Sequence, residues 1–379
     1  MNIFLTGANG FLGTVLLRDL LLKGHSVTAL ARAKHGTSAM RRLSHSLSEY
    51  DPAFPLDKYS GKTLHAVEGD VTAKDFGLGR KAFLRYANNA DIIIHNAATT
   101  ELDAEWKLYE KINIGSTLKA IEFASHTRQR SIAHVSSAYV AGDRTDTVYE
   151  EDLDLKANFR NNYERSKAIS ESYVRAAGAS GDIRFIILRP SIIIGDSKSG
   201  RMNEDHHLFN FLLRVFWARQ MINNRMKSVK TARGDRFRIP GNADTTKNFV
   251  PVDYVAKLIS ILIETKGAWG RSFHLTHPKP LRVGDLELYI QTAMDWPGFA
   301  SCPIETAEDL SPLEKRFFRA IKIYEQYFWK EPPFDQSQLK AVLGKHLPKP
   351  AAISQEAVNR LVRFVLKKFR HRKNLPKHS

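Results

Sequence analysis

Sulfur chemistry is nearly absent from this chain. Its one cysteine, Cys302, excludes a disulfide framework and a cysteine-based metal centre, and suits a reducing cytosol. No apolar run approaches the roughly 18–20 residues that span a bilayer. The opening MNIFLT meets a glycine turn too soon to be a secretory leader. A soluble, cytoplasmic chain is therefore expected. Internal repeats and low-complexity stretches are missing. So is metal-ligand spacing among the histidines: His206 and His207 are adjacent, while His95 and His134 fall at or near strand ends, where paired or surface imidazoles are expected and no metal. One local absence carries chemistry: no Asp or Glu occurs between Gly24 and Ser48.

What is present is an ordinary globular composition, 43% hydrophobic and 26% charged over 379 residues. That is enough for one large domain or two unequal lobes. The net charge of +17 favours anionic partners. Part of it lies between Arg360 and Lys377 and part in segments such as RMKSVKTARGDRFR (225–238). No homeodomain, zinc-finger, RRM or KH pattern organises these charges around bases, so no specific nucleic-acid partner is expected.

Residues 1–195 alternate short apolar runs with helical patterns, which predicts an α/β fold with a doubly wound parallel sheet. The expected strands are 2–6, 26–30, 64–69, 91–96, 131–137 and 184–190. Helices are expected after Gly10, stopping at Gly24, then over 112–126 and around Tyr163. Their central strands are continuous apolar runs, as in a sheet covered on both faces. After Gly195 the chain turns basic, aromatic and proline-broken. Residues 196–247 and 265–349 read as a smaller, discontinuous C-terminal substrate lobe, with 248–264 rejoining the core and 350–379 forming a basic helix and tail. A cleft between such lobes is the expected substrate site.

Gly7, Gly10 and Gly13 form a G-x-x-G-x-x-G turn between the first strand and helix, where bare backbone can approach a pyrophosphate. An acid closing the second strand would bind a ribose 2′-hydroxyl. This chain instead offers Arg32, with Arg42 on the next helix, which suits a 2′-phosphate and predicts NADPH over NADH. Asp70 ends the third strand, where its carboxylate can take the adenine amino group or cap a turn. Ala97 and Ala98, after the fourth strand, let backbone lie against a cofactor.

Tyr163 and Lys167 lie four apart in NNYERSK and share a helix face. Alone, such a pair is a match that chance supplies roughly once in a chain of this composition. Its order after the glycine turn and after Ser137, in HVSSAYVAG, gives it meaning. An ammonium beside a phenol would lower the phenol toward working pH, making Tyr163 the proton donor in a carbonyl reduction. Ser137 would hold the same oxygen, Lys167 the nicotinamide ribose, and Asn113 a relay water or the helix itself.

TGANGFLG, GDVT, HNAA, Asn113, SSAYVAG, YERSK and LRPS together resemble the extended short-chain dehydrogenase/reductase superfamily. LAR with the later RRL, GDVTAKDFGLG, LRPSIIIGDSKSG, NFVPVDYVA and FHLTHPKP are similar to its branch of fatty acyl-CoA reductases (male-sterility type) and thioester reductase domains. The resemblance covers residues 1–280 and thins beyond. It implies a Rossmann fold, catalysis by Ser137, Tyr163 and Lys167 with Asn113, and 2′-phosphate recognition by Arg32 and Arg42. It also implies cofactor contacts at Thr6, Gly7, Gly10, Phe11, Leu12, Gly13, Asp70, Val71, Asn96, Ala97, Ala98, Lys167, Pro190 and Ser191. The implied reaction reduces an acyl thioester, on CoA or an acyl carrier protein, to an aldehyde and then in many members to an alcohol. The carboxylic acid reductases of that branch carry adenylation and carrier domains that this sequence does not contain.

Two other classes share the scaffold: nucleotide-sugar epimerases and dehydratases or hydroxysteroid-type dehydrogenases, and non-catalytic NADP-binding scaffold proteins. The 2′-phosphate arginines disfavour the sugar enzymes, and the retained Tyr163 and Lys167 disfavour the scaffold. In AVNRLVRFVLKKFR (357–370), Leu361, Phe364, Val365 and Phe369 share a side ringed by Arg and Lys. Such a helix suits peripheral contact with an anionic membrane or packing on the protein body.

Overall fold

The computed structural model describes residues 1–204, 207–226, 237–296, 298–302, 310–327 and 330–374. His206 and most of the basic run 225–238 lie outside these. Seven parallel strands form one sheet: β1 Asn2–Thr6, β2 Ser26–Ala31, β3 Leu64–Glu68, β4 Ile92–His95, β5 Ser131–Val135, β6 Arg184–Pro190 and β7 Arg271–Leu275. Their order is β7-β6-β5-β4-β1-β2-β3. The chain winds outward from β1 to β3, then returns to β4 on the other side of β1, so a switch point lies between β1 and β4. In such sheets ligands bind beyond the carboxyl ends of the strands at that point. This is a Rossmann fold, and Thr6 and His95 stand at its switch.

The helices follow from local sequence. Phe11–Leu22 (α1) buries Leu12, Leu16, Leu17, Leu20 and Leu21, and Ala39–Tyr50 (α2) starts at Ser38, whose side chain accepts from the Arg41 N–H. Arg80–Asn89 (α3), Gly115–Ser125 (α4) and Asn162–Ala179 (α5) follow. Asn161 caps α5 through the Glu164 N–H at 2.9 Å. Phe4, Phe76, Phe83 and Phe123 meet in one fully buried aromatic cluster between sheet and helices.

The chain forms two compact units. The first holds Met1–Ile193, Val252–Pro278 and Pro332–Lys349, and the second Ile194–Pro251, Lys279–Glu331 and Pro350–Ser379. The expected boundaries shift accordingly. Residues 265–278, expected in the substrate lobe, belong to the first unit because Arg271–Leu275 pairs with β6, from Arg271 against Ile186 to Leu275 against Pro190. Residues 332–349 also return to the first unit. The segment from 350 onward groups with the second unit instead of standing apart.

In the second unit Phe237–Pro240 and Phe299–Cys302 pair in parallel, and its long helices are His207–Met226, Val283–Met294, Pro312–Ile321 and Gln355–Asn374. The last of these takes the second of its two expected roles, packing on the protein. Val358, Leu361, Val362 and Val365 are buried. The Phe364 ring packs edge-on to Phe209 and the Phe369 ring to Phe216 and Trp217. The apolar side thus packs within its own unit. Among the described residues no helix is long and apolar enough to cross a membrane.

Candidate active site

The glycine turn is built without room for side chains. Gly7 takes φ +70°, and a Cβ there would sit 2.8 Å from the Ala97 nitrogen. A Cβ on Gly13 would lie 1.9 Å from the Gly7 carbonyl oxygen, and one on Gly10 would lie 3.3 Å from it. Asn96 Nδ2 donates to that carbonyl at 3.2 Å. Thr6 Oγ1 accepts from the Asn96 and Ala97 N–H groups at 3.2 Å each, so one hydroxyl joins the ends of β1 and β4. Above this cradle Gly10 caps α1 with no side-chain hydrogen bond, and no acid occupies the first turn. A helix start of this kind suits an anion. This cradle fits a dinucleotide pyrophosphate. Leu12 is buried, whereas Phe11 is half-buried.

At the end of β2, the largely exposed Arg32 guanidinium lies 4.0 Å from Asp70. Arg42 Nη1 donates to the Arg32 carbonyl at 2.7 Å, so the two arginines are neighbours. Asp70 Oδ1 accepts from the Thr72 N–H at 2.8 Å, the capping role. Burial alone would raise its carboxyl, but the Thr72 hydrogen bonds and Arg32 hold it below the ordinary range. A strained turn braces Asp70: Asp75 and Phe76 take φ +49° and +55°, and the Phe76 carbonyl accepts from the Asp70 N–H at 2.8 Å. Val71, beside Asp70, is half-buried; Pro190 and Ser191 are buried at the end of β6.

Beyond β5 the chain turns at Ser137, whose Oγ accepts from the Tyr139 N–H at 3.2 Å. Ser137 also hydrogen-bonds the half-buried Tyr163 phenol, bringing together two residues far apart in sequence. Lys167 is 4% exposed, and its Nζ donates to the Val135 carbonyl at 2.6 Å, two residues before Ser137. The expected depression of the phenol does not occur. Burial pushes Tyr163 up to about 12, the Ser137 hydrogen bond only partly opposes this, and Lys167 is not among its influences. Burial brings Lys167 itself down to about 8, with Glu171 partly offsetting.

Of its two expected roles, Asn113 is placed for the second, fixing the helix. It lies in a π-turn, Glu110–Ile114, and is 1% exposed. Its Oδ1 accepts from the Thr99 N–H at 2.8 Å, and its Nδ2 donates to the Thr99 carbonyl at 3.2 Å and to Ser166 Oγ at 2.8 Å. Both amide hydrogens are thus engaged. Asn113 positions the loop after β4 against α5, one residue from Lys167. The two strand-end histidines divide, one paired as expected and one not. His95 is buried and bonded to Thr6 and Ser116, whereas His134 is buried beside it with neither ring nitrogen partnered among the described residues.

Sequence reasoning missed the network behind the site. Arg189 and Glu171, both 0% exposed, pair through Arg189 Nη2 at 2.6 Å and Nε at 3.0 Å. Ser136 Oγ donates to Glu171 at 2.7 Å, and Arg175 Nε at 2.8 Å. The clue was an arginine ending the apolar run RFIILR and a glutamate four residues beyond Lys167.

A glycine cradle at the switch point, with Ser137 beyond β5 facing Tyr163 and the buried Lys167 on α5, is the arrangement of the extended short-chain dehydrogenase/reductase superfamily. The sequence profile of the family described as male sterility protein matches residues 5–259, and the chain belongs to that family. It is 30% identical over 300 residues to the nonribosomal peptide synthetase asaC of Aspergillus flavus, covering 76% of this chain and 27% of that protein. It is 28% identical over 280 residues to L-2-aminoadipate reductase of Schizosaccharomyces pombe, covering 68% of this chain and 18% of that one. The chain therefore spans about a quarter or less of these relatives. A thiolation-reductase di-domain from an archaeal nonribosomal peptide synthetase shares the fold, with a TM-score of 0.77 at 19% identity over 98% of this chain and 76% of that one.

Proposed function

We propose that this protein reduces acyl thioesters, carried on CoA or on an acyl carrier protein, to aldehydes with NADPH, and that the same site can take the aldehyde on to the alcohol. The observation that carries the reading is the Ser137–Tyr163 hydrogen bond beside the carbonyl-anchored Lys167. Two relatives are a peptide synthetase and an aminoadipate reductase, and a structural neighbour joins its reductase to a thiolation domain, which supports a thioester substrate.

Gly7, Gly10, Gly13 and the start of α1 would hold the pyrophosphate, Arg32 and Arg42 the 2′-phosphate, and Asp70, Val71, Asn96, Ala97, Ala98, Pro190 and Ser191 the rest. When bound, the reduced nicotinamide supplies a hydride to the carbonyl carbon. Ser137 holds the carbonyl oxygen while Tyr163, fully protonated at neutral pH, gives it a proton. Charge growing on that oxygen is what the two hydroxyls stabilise. The resulting hemithioacetal breaks its C–S bond, releasing aldehyde and a protonated thiol. Lys167 supplies a fixed positive charge beneath the site, and Asn113 keeps α5 in place.

The test is NADPH oxidation against octanoyl-CoA, octanal, UDP-glucose and a ketosteroid. Turnover with the thioester or aldehyde is expected, and turnover confined to the UDP-sugar would overturn the proposal. The cofactor preference has its own measurement. Removing one charge-assisted hydrogen bond to a phosphate costs about 1.5–3 kcal/mol, or roughly 10- to 100-fold. Arg32→Ala should raise KM for NADPH by about that factor and leave KM for NADH unchanged; an equal rise for both cofactors would remove Arg32 from 2′-phosphate recognition.

A further inference from the structure

The return of Pro332–Lys349 to the first unit has a consequence at Ser137. The Val148 N–H donates to the Pro333 carbonyl at 2.9 Å, and the Asp335 N–H donates to the Val148 carbonyl at 2.9 Å. Gln336 Nε2 donates to the Thr276 carbonyl at 2.9 Å. Glu150, 1% exposed, spends a buried carboxylate on backbone alone, accepting from the His274 N–H at 3.0 Å and the Gln338 N–H at 2.7 Å. The ring at the centre of these bonds is Phe334. It lies edge-on to Tyr139 at 5.8 Å between ring centres and tilted on His274 at 5.4 Å. Tyr139 is the residue whose N–H holds Ser137 Oγ.

We infer that Phe334 is a positioning residue for the reduction: packed on Tyr139, it fixes the turn that aims the Ser137 hydroxyl at the Tyr163 phenol. The inference rests on the proposed role of Ser137. Contact runs from Phe334 through the Tyr139 ring and its N–H to Ser137 Oγ, and from there to the reacting oxygen. Val148 and Glu150 hold the two sides of the returning segment to the same stretch of chain that leaves Ser137. Small displacements at a reacting centre cost up to about 100-fold in rate, far more than one ring contact is worth to folding.

The experiment is a double-mutant cycle of Phe334→Leu with Ser137→Ala, reading NADPH-dependent reduction of octanal and the NADPH dissociation constant. Phe334→Leu should lower kcat about 10- to 100-fold with unchanged NADPH binding, and Phe334→Tyr should restore most of it. In the Ser137→Ala background, the same substitution should change kcat less than about twofold. An equal fall in both backgrounds, or none in the first, overturns the inference. If Ser137→Ala alone leaves kcat intact, the proposed role of Ser137 falls and the inference with it. If Ser137→Ala is crippled and Phe334→Leu is not, only the inference falls. Amide hydrogen exchange tests it without turnover: Phe334→Leu should speed exchange at Tyr139 and leave the Gly7–Gly13 turn unaltered. Unchanged protection at Tyr139 counts against it equally.

Discussion

Tyr163→Phe should lower the reduction rate by about 10²–10⁴-fold, the contribution typical of a positioned general acid. NADPH should still bind with wild-type affinity, because the cradle of Gly7, Gly10 and Gly13 is built from other elements. The phenol, held at about 12, keeps its proton throughout the working range, so its own ionisation should put no limb into the neutral pH profile. Lys167, brought down to about 8, should do so. If its ammonium is needed, kcat/KM for NADPH should fall as pH rises through about 8. Unchanged turnover by the Phe variant would show that the proton comes from elsewhere. Ser137→Ala should lose less than Tyr163→Phe, since it removes a hydrogen bond to the oxygen and not the proton itself.

The core strands were legible because burial on both faces turns them into apolar runs such as Ile92–Ile94 in β4 and Ile186–Leu188 in β6. The seventh strand escaped for the opposite reason. RSFHL looks like surface chain, yet Ser272 accepts from Arg175 at 2.7 Å and the His274 N–H donates to Glu150 at 3.0 Å, so its polar residues are buried with partners supplied by distant segments. The glycine turn was readable because spacing and glycine identity both express close backbone approach. The ionisation of Tyr163 was not, because sequence spacing places Lys167 near the phenol but says nothing of burial or of the Val135 carbonyl that engages the ammonium. Asn113 was legible as holder of a relay water or of the helix, and its bonds to Thr99 and Ser166, which no local pattern announces, place it against the helix. Phe334 carried no local signal, since what matters about it is the ring of Tyr139 against which the fold sets it.

Glu171→Gln should destabilise the protein by about 3–5 kcal/mol, the usual cost of stripping one partner from a buried ion pair. The reason is positional. Arg189 is 0% exposed, and among the described residues its guanidinium has Glu171 as its only ionic partner; its remaining bonds go to the carbonyls of Glu150 and Asp152 and to His274 Nε2. A neutral amide leaves that cation in the interior and gives up acceptor capacity that Ser136 and Arg175 share. In urea the midpoint should fall with an unchanged slope, since the surface exposed on unfolding is the same. The pH dependence gives an independent check. Burial works to raise the Glu171 carboxyl, but Arg189 and its hydrogen bonds overcome this and hold it below its ordinary value. Its contribution is therefore fully present above the unfolded-chain value of about 4.3 and is lost as pH falls through the lower folded value. Part of the wild-type acid destabilisation below about pH 4.3 should be missing from Glu171→Gln. The double variant Glu171→Met, Arg189→Met should regain much of the single variant's loss, because removing both charges removes the unpaired one. Its turnover should stay low all the same. Glu171 accepts the Ser136 hydroxyl, Ser136 adjoins Ser137, and Arg189 grips the Glu150 carbonyl at the far end of the same loop, so the pair fixes the chain that carries the Ser137–Tyr163 contact. Stability regained together with wild-type turnover would show that the pair holds the fold and leaves the site alone.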